Sequence, residues 1–191
     1  MGSFILVEGA DGTGKTTLAG QLAEAFGAEY EHVGPPRRDM TAFAEHVEYA
    51  FVLAEEYGRV VFDRFHLGTF AYGPIFRPDE DVDGIGDFRR ADWDLFEHLI
   101  QDRCLLVLCD PGWDAIQENL GDRDGSQPHA MYEDDPANVL AVHRRFEKAY
   151  EFTKLRKTRY DYTQEGALGV LLQEVEGVLE WSPATAPAHT P

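Results

Sequence analysis

Positive charge is scarce in this 191-residue chain: 17 lysines and arginines stand against 35 aspartates and glutamates, a formal net charge of −18. That balance argues against duplex nucleic acid or an anionic membrane surface as a partner, and otherwise serves solubility. It also means that a phosphate ligand has to be held by a few local cations against the field of the whole chain. Cysteine is nearly absent. Cys104 and Cys109 fall within one apolar run, five residues apart, a spacing that suits neither a metal site nor a redox pair. No apolar run reaches membrane-spanning length, and residues 4–7 are too short for the apolar core of a signal peptide, so a cytoplasmic protein without a membrane partner is expected. There is no internal repeat, and the length suits one domain with its own core, expected over residues 1–181.

What the chain does have is a regular alternation of apolar runs and helical patterns. Strands are expected at residues 3–8, 28–33, 60–63, 103–110 and 159–162, the second of them weak. Helices are expected at about 15–27, 39–57, 87–102, 112–120, 136–157 and 165–180. The segment 121–135 is polar and flanked by glycine. Residues 182–191, rich in Pro, Ala and Thr, read as a disordered tail. Five strands separated by helices imply an α/β fold, a five-stranded parallel sheet covered by helices on both faces. Ligands of such sheets gather at the carboxyl ends of the strands, where Glu8 and Gly9, Asp63 and Asp110 all stand.

The first strand breaks into Gly9-Ala10-Asp11-Gly12-Thr13-Gly14-Lys15-Thr16, the GxxxxGK[ST] phosphate-binding pattern, and Leu18, Leu22 and Phe26 follow it at helical spacing. Consecutive backbone N–H groups have to turn inward around phosphate oxygens, which side chains would obstruct. Gly9, Gly12, Thr13, Gly14, Lys15, Thr16 and Thr17 are therefore the expected ATP-binding set, with Lys15 a cation for the β and γ phosphates and Thr16 a hydroxyl ligand for Mg²⁺. Asp63, ending a short apolar strand, is the natural second partner of the metal. Asp110, ending a longer one, is its rival, although Pro111 and Gly112 suggest that it caps the next helix. The residue after Asp63 is Arg64, where a nucleotide hydrolase would carry a glutamate to activate water. A guanidinium there suits bidentate capture of a second phosphate and points to a phosphorylated acceptor. Phosphoryl transfer also needs water excluded and charge added late, which makes 121–135 a candidate lid and Arg123 its catalytic arginine, with Arg144 and Arg145 as alternatives.

Glu8-Gly9-Ala10-Asp11-Gly12-Thr13-Gly14-Lys15-Thr16-Thr17 resembles the loop of thymidylate kinases, and Asp63-Arg64-Phe65 followed by Ala71-Tyr72 is similar to that family's second signature in the same register. The resemblance implies a P-loop kinase fold in which Asp11 contacts the acceptor's sugar hydroxyl and Arg64 its phosphate. Arg37, Phe70 and Tyr72 join them as expected acceptor contacts. Gly68 and Gly73 stand where the family has Ser and Gln, and Gly34-Pro35-Pro36-Arg37-Arg38 replaces its Arg-Glu-Pro-Gly-Gly stretch; the run from Asp63 to Ile75 looks more like divergent, often phage-encoded, relatives. The expected activity is Mg²⁺-dependent transfer of the ATP γ-phosphate to a deoxynucleoside monophosphate, a pyrimidine one by the resemblance, with Lys15, Asp63 and Arg123 catalytic. A homodimer is a possible assembly. Two other readings are a kinase acting on a hydroxyl of a nucleoside or of a modified base in DNA, with Asp63 as general base, and a catalytically silent nucleotide-binding regulator.

Overall fold

The computed structural model describes residues 2–34, 43–76, 90–121 and 136–181. Arg37, Arg123, nearly all of the expected lid and the tail from 182 lie outside those residues. Five strands, β1 (Ser3–Glu8), β2 (Glu29–His32), β3 (Arg59–Asp63), β4 (Cys104–Cys109) and β5 (Arg156–Tyr160), form one sheet in the order β2-β3-β1-β4-β5. Every neighbouring pair is parallel. All six residues of β1 and all six of β4 are buried, as continuous apolar strands covered on both faces must be.

The pleat divides the core in two. Phe4 and Leu6 of β1 join Phe62, Leu106, Phe96 and Phe146 on one side, under α2 (Phe43–Tyr57), α3 (His66–Phe76), α4 (Arg90–Ile100) and α6 (Pro136–Phe152). Ile5 and Val7 join Leu18, Leu22, Leu105, Val107 and Val175 on the other, under α1 (Lys15–Phe26) and α7 (Ala167–Trp181). A further helix, α5 (Trp113–Gly121), follows β4. The two cysteines open and close β4, both buried and unbridged. No described helix is long and apolar enough to cross a membrane.

Three departures from the sequence expectation have physical causes. The first is α3, an extra helix over residues that contain Gly68, Gly73 and Pro74 and show no apolar stripe. It is held from outside: the buried Glu8 carboxylate accepts the N–H groups of Phe65 and Leu67 at 2.9 Å and of Gly68 at 3.4 Å, capping the first turn from the end of β1. The second is the end of α6, at Phe152 rather than 157. Lys157 Nζ donates to the carbonyls of Tyr150 (2.6 Å) and Thr153 (3.0 Å), and Glu97 Oε2 accepts the N–H of Lys154 at 2.7 Å. These contacts close the helix and let β5 begin at Arg156. The third is Asp110: Arg159 of β5 takes its carboxylate, and its own N–H donates to the Tyr160 carbonyl at 2.9 Å.

Candidate functional site

β1 lies in the middle of the sheet, so the loop after it opens between the ends of β3 and β4. Gly9 (φ 151°) passes so close to β4 that a Cβ would stand 2.8 Å from the Cys109 carbonyl oxygen and 2.7 Å from Thr13 Oγ1. Only glycine fits there. Thr13 is fully buried and donates to the Ala10 carbonyl at 2.8 Å, so its hydroxyl braces the loop from inside. Gly14 (φ 79°) launches α1 without a side-chain cap, an arrangement in which the first turn's N–H groups can receive an anion. The outer wall of the loop is built by α5 and the turn after β5. Asn119 Nδ2 donates to the Gly12 carbonyl and to Tyr162 Oη, each at 2.6 Å, and a Cβ on Gly14 would meet the Tyr162 ring at 3.3 Å.

Lys15 is buried, with Nζ donating to the Ala10 carbonyl at 3.0 Å and to Asp11 Oδ1 at 3.3 Å. Burial lowers its pKa, opposed mainly by the charge of Asp11. Arg64 reaches the same Asp11 oxygen, at 2.6 Å, and its guanidinium lies 5.3 Å from the centre of the Tyr72 ring. Asp11 therefore sits between Lys15 and Arg64. Arg64 has φ 74°, the only positive φ at a non-glycine among the described residues, and its N–H continues the ladder to the Val7 carbonyl at 2.9 Å. That left-handed turn sends the residue after β3 back toward the phosphate loop.

Asp63 is buried at the end of β3, and its Oδ2 accepts hydrogen bonds from Thr16 Oγ1 (2.7 Å), Tyr30 Oη (3.0 Å) and His32 Nδ1 (2.9 Å). Desolvation alone would raise its pKa, but these three donors and the charge of Lys15 pull it below the ordinary aspartate value. Asp63 Oδ1 is buried and has no partner. A hydroxyl beside a carboxylate that still has one oxygen free is the donor set Mg²⁺ accepts, so Thr16 and Asp63 fit the metal. Asp110 is instead engaged by Arg159 and lies 3.9 Å from His143.

The structure thus brings Asp11, Lys15, Thr16, Asp63, Arg64 and Tyr72 together. Phe70, the other expected acceptor contact on α3, has its ring 5.8 Å from that of Trp93 and 4.7 Å from the Arg145 guanidinium. Arg145, an alternative lid arginine by sequence, is spent on the Phe70 carbonyl, to which Nε and Nη2 donate at 3.0 and 2.8 Å; Arg144 is exposed. Two contributors, Tyr30 and His32, and the capping role of Glu8 escape sequence reading. Tyr30 and His32 share one face of the weak strand β2 by simple alternation, which was the available signal. Glu8 caps α3 and is pushed up to about 7 by complete burial, against the pull of the N–H groups of Phe65, Gly68 and Leu67. Behind α3, His66 Nε2 lies 3.1 Å from Glu97 Oε1, which also accepts the Thr153 hydroxyl.

No protein-family model matches the sequence, and no curated protein matches it significantly. Solved structures do share the fold. A complex of the YorR protein of Bacillus subtilis with phosphorylated GDP superimposes with a TM-score of 0.67 at 17% identity, covering 93% of this chain and 96% of that one. Deoxyadenosine kinase of M. mycoides with the products dCMP and dCDP gives 0.59 at 12% identity over 91% of this chain and 99% of its own; its dATP complex gives 0.55 at 13%. The chain has an α/β P-loop kinase fold.

Proposed function

We propose that the protein is a Mg²⁺-dependent phosphotransferase that moves the γ-phosphate of ATP to a deoxynucleoside monophosphate. The observation that carries the acceptor class is Arg64: a strained, left-handed residue one position after the metal-side aspartate, with its guanidinium held beside Asp11 and Tyr72. Such backbone strain costs on the order of 1–3 kcal/mol and persists where function needs the side chain aimed. A fixed guanidinium there is suited to a phosphate that is not the one on the P-loop. In this reading the loop from Gly9 to Thr17 holds the triphosphate, and Lys15 stabilises charge on the transferring group. Thr16 and Asp63 hold the metal, which when bound neutralises phosphate charge. Arg64 grips the acceptor phosphate, and Asp11 and Tyr72 border the acceptor. Arg123 supplies further positive charge from the segment after α5.

A phosphate nucleophile needs no general base, and Asp63, the base a hydroxyl acceptor would use, is held below the ordinary aspartate pKa by its three hydrogen bonds and by Lys15, which weakens it as a base. One observation favours a second reading, a hydroxyl acceptor: two of the similar structures are of a deoxyadenosine kinase. Steady-state kinetics with a deoxynucleoside and its monophosphate separate the two. For a monophosphate acceptor, Arg64→Ala weakens its use by about 2–4 kcal/mol, because a charge-assisted bidentate contact in a partly desolvated site is lost, while the KM for ATP changes little. Faster wild-type turnover of the unphosphorylated nucleoside refutes the monophosphate reading.

A further inference from the structure

Pro74 lies inside α3, where it has no N–H to give to the carbonyl four residues earlier, and its ring crowds that same oxygen. The carbonyl in question belongs to Phe70. It is the one that Arg145 of α6 takes with two donors, Nε at 3.0 Å and Nη2 at 2.8 Å, while the guanidinium packs 4.7 Å from the centre of the Phe70 ring. A guanidinium from another helix thus stands in for the missing backbone donor. Tyr72 lies in the middle of the turn between Phe70 and Pro74. Its ring rests edge-on against Phe146, the residue after Arg145, at 5.7 Å, and it faces Arg64 at 5.3 Å on the site side.

We infer that Arg145 and Pro74 form a positioning pair: Pro74 leaves the Phe70 carbonyl without its helical donor, and Arg145 supplies one from α6, which holds the turn of α3 carrying Tyr72 so that Tyr72 and Arg64 meet the acceptor in one geometry. The inference rests on the reading of α3 as the acceptor-side helix. Arg145 does not touch the reacting atoms. A helix with an N–H at position 74 would satisfy the Phe70 carbonyl without help. Arg145, which fills the gap, comes from α6, whose first described residue follows the segment read as a lid.

The pair is tested by a double-mutant cycle with Arg145→Ala, Pro74→Ala and the double variant. Kinetics use whichever acceptor the wild type turns over fastest in a panel of nucleosides and monophosphates. Arg145→Ala is expected to raise the acceptor KM roughly tenfold, as the loss of one part-buried charge-assisted contact does, and to leave the ATP KM within about twofold. Pro74→Ala alone is expected to stay near wild type. The double variant, in which Pro74→Ala restores an N–H to the Phe70 carbonyl, is expected to recover both the acceptor KM and the thermal midpoint lost by Arg145→Ala. An unchanged acceptor KM in Arg145→Ala, or equal rises in both KM values, overturns the inference, and so does a double variant no better than Arg145→Ala. If Arg145→Ala does not fold, a folded double variant supports the pair and an unfolded one overturns it. A wild type that prefers the nucleoside overturns the monophosphate reading and leaves this result standing, because the cycle follows the preferred acceptor.

Discussion

Glu8→Gln isolates one buried charge and gives the structure a quantitative test. Glu8 ends β1, is completely buried, and gives one oxygen to three N–H groups at the start of α3 while the other has no partner. Desolvation raises its pKa from 4.5 to about 7, opposed by those N–H groups and by Arg64; Tyr72 and Cys109 are the other ionisable groups that feel its charge. In the unfolded chain the carboxyl titrates normally. Between pH 4.5 and 7 the folded state therefore keeps a proton that the unfolded state has lost, and stability falls as pH rises through that window. At 1.36 kcal/mol per unit, the difference between 4.5 and about 7 amounts to about 3 kcal/mol, fully expressed only above the folded value. Glutamine keeps an acceptor for the α3 N–H groups and cannot ionise, so it abolishes this component alone. Urea unfolding of both proteins from about pH 4.5 to pH 8.5, with equal m-values, measures it. Other titrating groups and the repulsion within an acidic chain cancel in the difference. The expected result is that Glu8→Gln gains about 3 kcal/mol relative to wild type across the window, whatever the offset at low pH. A difference that stays flat to within about 0.5 kcal/mol, or one that moves the other way, refutes the account of Glu8 as a desolvated carboxylate.

Lys15→Ala is expected to lower turnover at least a hundredfold, about 3 kcal/mol of transition-state stabilisation, in a protein that unfolds at the wild-type urea concentration; retention of a tenth of the wild-type rate contradicts its role. Glu97→Ala is expected to destabilise the fold by about 3 kcal/mol, because His66 Nε2, the Thr153 hydroxyl and the Lys154 N–H lose a common buried acceptor. The measurement is the shift of the urea midpoint, and a loss below about 1 kcal/mol would show that these donors find other partners.

What could be read in the sequence was what is local in the chain. β1, the loop and α1 are contiguous, so apolar run, glycine spacing and helical period coincide within two dozen residues. The same holds for β4, where six buried residues in a row need both faces covered. The unread parts have their causes far away in sequence. α3 has no stripe to announce it, because its first turn is capped by a carboxylate 57 to 60 residues away and its proline gap is filled by an arginine 75 residues away. The end of α6 is fixed by Glu97 and Lys157, neither of which lies in that helix.

The choice between Asp63 and Asp110 shows where sequence runs out. Both follow apolar strands, and both strands flank β1, so neither strand order nor burial of the strands separates them. What separates them is the third neighbour. β5 brings Arg159 to Asp110, which neutralises that carboxylate. β2 brings Tyr30 and His32 to Asp63 instead, and these join Thr16 on one oxygen while the other stays free. An aspartate already matched by arginine has little charge to offer a metal, whereas one held by a hydroxyl, a phenol and an imidazole keeps its own. The edge strands of the sheet, the least conspicuous elements in the sequence, thus favour Asp63 as the metal-side carboxylate.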